Sequence, residues 1–349
     1  MKINFLLPKL KISGGTRVIL TYADLLAKKG YKVTVLVQSK NWTRPFFNFL
    51  KIKPRWFGSL CADVWRVQNW SASFVPDADI LVADTWKLAL IAADLPDEKG
   101  KKFHFVQHDE RLYHGSALEV AKAYQLPFKK IVVSSWLREI LKNDFDFEPE
   151  LLINTVDRNL FYPVPVKKNE SEIKILLLEH DYDWKGTKEG VDAVKKIKEK
   201  NPNVKLVLFS ARKSKTDFPC DEYYYNLPQK KLAWLYSSCD IFLCPSWDEG
   251  FGLPSLEAMA CGCAIVTYDN GGSRDFAFDP HAPRGVGVDG QTALVARRRD
   301  TEDLYQKLEI LAADKNLREK IAQNGYDFAL KMPTWEEQAK KLEKILLGL

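Results

Sequence analysis

Short apolar runs alternate with amphipathic stretches along most of the chain. Residues 2–7, 32–38, 80–83, 103–106 and 131–134 are strand-like, and 18–29, 86–93 and 136–143 between them read as helices. The same alternation starts again further on. Strand-like runs at 174–178, 205–209, 241–244 and 264–267 are separated by helical patterns at 190–200, 229–237 and 254–260. Such βαβ order predicts a parallel sheet covered by helices. Its repetition predicts an α/β protein of two doubly wound domains in tandem. The join is marked by Asn154-Thr-Val-Asp-Arg-Asn-Leu-Phe-Tyr-Pro163, then Pro165 and a polar run over 167–172. No repeat or low-complexity segment interrupts the pattern.

One stretch of the second half carries candidate chemistry: Pro245-Ser-Trp-Asp-Glu-Gly-Phe-Gly-Leu-Pro-Ser-Leu-Glu-Ala-Met-Ala-Cys-Gly. An apolar strand runs into it, and a helix with Leu256 and Ala260 leaves it. Gly250 and Gly252 keep the turn free of bulk. Pro254 suits a first helical position, where its missing N–H costs nothing. A helix start offers free N–H groups and partial positive charge, which suits a phosphate. Glu249 and Glu257 flank that anion site. Carboxylates repel phosphate, so sugar hydroxyls are their simplest ligands. A diphosphate with a sugar at each end, a nucleotide sugar, fits the set.

The block resembles the Glu-x7-Glu signature of retaining glycosyltransferases of family 4, which have the GT-B fold, two Rossmann-like domains facing a central cleft. The resemblance implies that Glu249 holds the donor sugar and Glu257 the nucleotide ribose. Gly250, Phe251, Gly252 and Leu253 would line the donor. Lys185-Gly186 is similar to the end of the family's Gly-Arg-x-x-x-x-Lys-Gly motif, which makes Lys185 the neutraliser of the departing diphosphate. Glu179 and His180 stand where Gly-Arg is usual. Either Arg212 or a protonated His180 is then the candidate for the second cation. Gly14-Gly15, after the first strand, is similar to the loop that faces the donor diphosphate, where glycine lets backbone approach a ligand. His108, at the end of 103–106, resembles the family histidine that reaches the donor sugar. Gly271-Gly272 matches a loop near the donor phosphates. The 154–163 linker and the stretch from Met332 also resemble the family. They imply an acceptor-side domain of 1–158 plus 333–349, with a returning last helix anchored by Trp335, and a donor domain of 159–332.

Composition narrows the partners. With 52 basic and 46 acidic residues the net charge is +6, too weak to argue for nucleic acid. Residues 2–7 meet Pro8 and Lys9, so no secretion signal is read, and no apolar run approaches a membrane span. The expected location is cytoplasmic. Six cysteines are then expected as reduced, buried thiols. GxGxxG is absent, against a dinucleotide oxidoreductase. Asp181-Tyr-Asp183 has a metal-motif form, but the same spacing recurs at Asp77/Asp79 and Asp144/Asp146, so neither metal nor other cofactor is expected. Residues 40–57 hold five cations, six aromatics and no acid. Two readings stay open for them, an acceptor loop or a peripheral contact with an anionic inner membrane face. The expected function is metal-independent, retaining sugar transfer from a nucleotide sugar to a glycan or lipid-linked acceptor. The alternatives are a non-catalytic nucleotide-sugar-binding protein or a nucleotide-sugar epimerase.

Overall fold

The computed structural model describes residues 1–38, 49–54, 56–211, 214–282 and 290–349. The chain forms two compact units, one of residues 1–154 with 335–349 and one of residues 155–334.

The first unit runs β1 (Lys2–Leu7), α1 (Gly14–Lys28), β2 (Lys32–Gln38), β3 (Phe49–Ile52), β4 (Asp63–Val67), β5 (Ile80–Ala83), α2 (Trp86–Ala93), β6 (Lys101–Val106), α3 (Ala117–Gln125), β7 (Lys129–Val132), α4 (Ser135–Phe145) and β8 (Glu150–Leu151). These strands form one sheet in the order β3-β4-β2-β1-β5-β6-β7-β8. The central strands Phe5, Leu6, Val35, Leu81, Val82 and Phe103 are buried, as a sheet covered on both faces requires. The expectation of a purely parallel sheet needs one correction. β3 pairs antiparallel with β4 at the edge. Helix α1 starts earlier than its apolar periodicity, because the Ser13 hydroxyl accepts the Thr16 N–H at 3.3 Å and caps it.

The second unit runs β9 (Ile173–Leu178), α5 (Thr187–Lys200), β10 (Val204–Ser210), β11 (Glu222–Tyr225), α6 (Gln229–Ser237), β12 (Ile241–Cys244), α7 (Leu253–Ala260), β13 (Ala264–Tyr268), β14 (Ala293–Ala296), α8 (Thr301–Ala313) and α9 (Lys315–Lys331). Its sheet has the order β11-β10-β9-β12-β13-β14, and every pairing is parallel. Ile175, Leu177, Leu243 and Val266 of the sheet pack with Val194, Leu304 and Leu308 of α5 and α8. Strand order reverses between β9 and β12. The carboxyl ends of two such strands are the usual ligand position in sheets of this kind.

The last helix, α10 (Trp335–Leu347), belongs to the first unit. Trp335 packs edge-on to Tyr22 of α1 with ring centroids 5.3 Å apart, and Glu343 bonds the Tyr31 hydroxyl at 2.7 Å and the Lys29 ammonium. Trp335 is thus an anchor of this helix, by burial of a large ring rather than by charge.

Candidate active site

The loops after β9 and β12 meet at the reversal point of the second unit. The first turns at Asp183–Lys185 and leaves through Gly186, whose φ of 62° is left-handed. A Cβ at Gly186 would lie 2.0 Å from the Pro245 carbonyl oxygen, so only glycine allows the two loops this approach. The Trp247 N–H then donates to the Trp184 carbonyl at 2.8 Å. This docking brings Lys185 Nζ to 2.6 Å from Glu249 Oε1, with side chains 20% and 14% exposed. The two residues that the sequence placed on different parts of a donor hold each other here.

Glu249 is fixed through its backbone as well. Its N–H donates to the Asn270 carbonyl at 2.9 Å, and its own carbonyl accepts the Gly272 N–H at 3.1 Å. A Cβ on Gly272 would come within 2.4 Å of the Phe251 nitrogen, so the Gly271-Gly272 loop lies directly against the motif. Gly250 is buried, Phe251 packs on Phe276 at 5.4 Å, and Gly252, at φ 97°, turns the chain into α7. Leu253 opens that helix and Pro254 follows in its first turn, which leaves its leading N–H groups without intrahelical acceptors. Glu257 lies one turn in. It is 6% exposed and its Oε2 accepts the Tyr236 hydroxyl at 3.2 Å. Glu257 is covered because α6 packs against α7.

His180 is held locally. Its backbone N–H donates to Thr187 Oγ1 at 3.1 Å, and its Nδ1 accepts the Tyr182 N–H at 3.1 Å. Its ring is tilted against Tyr182 with centroids 4.6 Å apart, and Tyr182 stacks at 4.2 Å on Trp184. Arg212, the other candidate, lies outside the described residues. Among the described residues, no group of three or more His, Cys, Asp or Glu side chains is placed to hold a metal ion.

In the first unit Gly14 and Gly15 form the start of α1, and the Gln107 amide donates to the Gly15 carbonyl at 3.2 Å. His108 is half-buried just beyond β6. Its Nδ1 lies 3.0 Å from the Asp109 carbonyl, and its ring faces His114 at 5.4 Å and Tyr113 at 6.1 Å. Gly14, Gly15 and His108 thus share the carboxyl edge of the first sheet. Lys185, Glu249, Gly250, Phe251, Gly252, Leu253 and Glu257 share that of the second. His104, by contrast, is fully buried and pushed down to about 3 by burial and by Lys130, which fits a structural side chain.

Residues 161–328 match the family described as "Glycosyl transferases group 1". The match covers a little under half of the chain and lies within the second unit. The fold of the whole chain is GT-B. It is similar to sucrose-phosphate synthase from Thermosynechococcus elongatus, with a TM-score of 0.78, 16% identity, and 100% of this chain and 98% of that chain covered. It is also similar to Anabaena Alr3699/HepE in complex with UDP-glucose, with a TM-score of 0.76, 15% identity and both chains covered in full. A curated relative is the N,N'-diacetylbacillosaminyl-diphospho-undecaprenol alpha-1,3-N-acetylgalactosaminyltransferase of Campylobacter jejuni, 28% identical over 198 residues, 51% of this chain and 49% of the relative. The chain spans about half the length of the first curated relatives it matches.

Within the second unit, the braces behind Glu249 were not read from the sequence. Asp248, 3% exposed, accepts two bonds from Arg298, Nε to Oδ1 at 3.0 Å and Nη2 to Oδ2 at 2.6 Å. Trp247 Nε1 donates to Glu189 at 2.9 Å, and Glu189 also accepts the Tyr268 hydroxyl at 2.7 Å. Arg299 lies over the Trp247 ring at 4.0 Å. The run Arg297-Arg298-Arg299 was the available signal, since three adjacent cations beyond a strand call for acidic or aromatic partners.

Proposed function

We propose that this protein is a retaining, metal-independent glycosyltransferase. It moves a sugar from a nucleotide-sugar donor to a glycan or lipid-linked acceptor in surface polysaccharide or glycolipid synthesis. The observation that carries this reading is the meeting of Lys185, Glu249 and the N-terminus of α7 at the reversal point of the second sheet. Lys185 and the leading N–H groups of α7 neutralise the leaving diphosphate, whose charge grows as the glycosidic bond breaks. Glu249 accepts bonds from sugar hydroxyls and Glu257 from the ribose, with Tyr236 holding its second oxygen. His108 is the candidate contact to the donor sugar that the family resemblance implies. Transfer proceeds on the front face, the diphosphate oxygen taking the acceptor proton as the new bond forms. The Campylobacter jejuni relative, whose printed name specifies a lipid diphosphate acceptor, and the UDP-glucose complex of HepE support these substrate classes.

Among the described residues, no helix is long and apolar enough to cross a membrane. Reversible contact of residues 40–57 with anionic lipid belongs to the same proposal, although residues 40–48 and 55 lie outside the described residues. The test is a thermal-shift screen against UDP-, GDP- and dTDP-sugars, since a ligand that binds only the folded protein raises its unfolding temperature. A transfer assay in excess EDTA with the best donor follows. Binding of a nucleotide sugar and transfer in EDTA are the expected results. No stabilisation by any nucleotide sugar overturns the function. Loss of transfer that Mn²⁺ restores overturns metal independence and returns Asp181 and Asp183 as ligands. Conversion of the donor sugar with no acceptor present marks an epimerase.

A further inference from the structure

The first unit has its own reversal point, between β1 and β5. Three loops converge beyond the carboxyl ends of β1, β5 and β6. Asp84 is the first residue past β5, and its N–H donates to the Leu6 carbonyl of β1 at 3.2 Å. Gln107, the first residue past β6, joins the loops. Its amide nitrogen donates both to Asp84 Oδ1 at 2.5 Å and to the Gly15 carbonyl at 3.2 Å. Space there is tight, because a Cβ on Gly15 would meet that same nitrogen at 3.0 Å. Among the described residues, Asp84 Oδ2 accepts no hydrogen bond.

Asp84 is half-buried, and its Oδ2 is not among the buried atoms that lack a partner, so that oxygen keeps an open side. Asp84 has one donor, at one oxygen. Burial pushes its carboxyl up to about 7, with the Gln107 bond pulling the other way. A rigid clamp on one oxygen and none on the other is the geometry of a binding group. A phosphate would be repelled by it, and no metal-holding group is present among the described residues. A neutral hydroxyl is the ligand that donates to the open oxygen without adding charge.

We propose that Asp84 is the acceptor-binding carboxylate of the first unit, its Oδ2 accepting a bond from a saccharide hydroxyl while Gln107 fixes its orientation. The assignment of that hydroxyl to the acceptor rests on the glycosyl-transfer reading. The binding itself is testable without turnover. Octyl glycosides of glucose, galactose and N-acetylglucosamine serve as probes in saturation-transfer NMR with no donor present, on the parent, Asp84→Asn and Asp84→Glu. Circular dichroism checks that each variant is folded. At least one glycoside should receive saturation from the parent, lose it in Asp84→Asn, and regain part of it in Asp84→Glu. With a donor from the thermal-shift screen, Asp84→Asn should raise the acceptor KM on the order of tenfold, the loss of one charged hydrogen bond, and leave the donor KM unchanged. Absence of signal from the parent with all three glycosides, or a folded Asp84→Asn with parental signal, overturns the proposal. A parent that binds glycosides through Asp84 yet binds no nucleotide sugar overturns the glycosyl-transfer reading alone.

Discussion

Lys185 and Glu249 pair at 2.6 Å, and in the proposed function each is a charge that the donor uses. On the proposed assignment a nucleoside diphosphate shares Lys185 with Glu249, and Glu249→Gln weakens that competition without changing shape. A hydrogen bond to a charged group contributes about 1.5–3 kcal/mol and a neutral one about 0.5–1.5. The pair is partly screened, with side chains 20% and 14% exposed, so the difference is taken as about 1 kcal/mol. A bare nucleoside diphosphate has no sugar hydroxyls for Glu249 to hold. It should therefore bind Glu249→Gln about fivefold more tightly than the parent. The intact nucleotide sugar gains the same at its phosphates but loses charged bonds at its sugar. Its affinity should not improve, and turnover should fall about tenfold or more. Lys185→Ala should weaken both ligands. Isothermal titration of the parent and both variants, with the nucleoside diphosphate of whichever donor the screen selects, reads these differences at fixed ionic strength. If Glu249→Gln weakens the bare diphosphate as much as Lys185→Ala does, Glu249 does not compete for Lys185 and the reasoning fails.

Gly186→Ala should destabilise the second unit by ~3 kcal/mol or more, because a left-handed non-glycine residue costs roughly 1–2 and the new Cβ would also strike the Pro245 carbonyl at 2.0 Å. Urea denaturation reads it, and a parental midpoint refutes the tight docking of the two loops. Burial also raises the Glu110 carboxyl from 4.5 to about 8. A folded-state value above the unfolded one gives stability that is full below about 4.5 and lost as pH rises through about 8. Thermal unfolding from pH 5 to 8 should therefore show falling stability, by a few kcal/mol at most at ~1.4 per pKa unit, and Glu110→Gln should flatten part of the slope; an unchanged slope in that variant sinks the argument.

The sequence by itself determined what rests on neighbours along the chain. Apolar runs such as Ile80–Ala83 and Ile241–Cys244 read as buried strands because a sheet covered on both faces needs no alternation. Gly252, Pro254 and the spacing of Glu249 and Glu257 marked a helix entrance with carboxylates around it, and all lie within one loop and one helix. Edge elements were less legible. β11 is half-exposed and gives no continuous apolar run, and β14 has weakly apolar alanine at both ends. β3 is an edge strand whose antiparallel direction is set by its partner β4. The tertiary structure alone decided the pairings between distant segments. Lys185 meets Glu249, 64 residues away, only because Gly186 lets its loop rest on Pro245. Arg298 covers Asp248 from 50 residues away, Tyr236 covers Glu257, and Gln107 clamps Asp84. Burial and hydrogen-bond partners are properties of packed elements, and they decide which carboxylate stays open to a ligand. Periodicity reports which face of an element turns inward, and carries no information about which side chain waits on the other side.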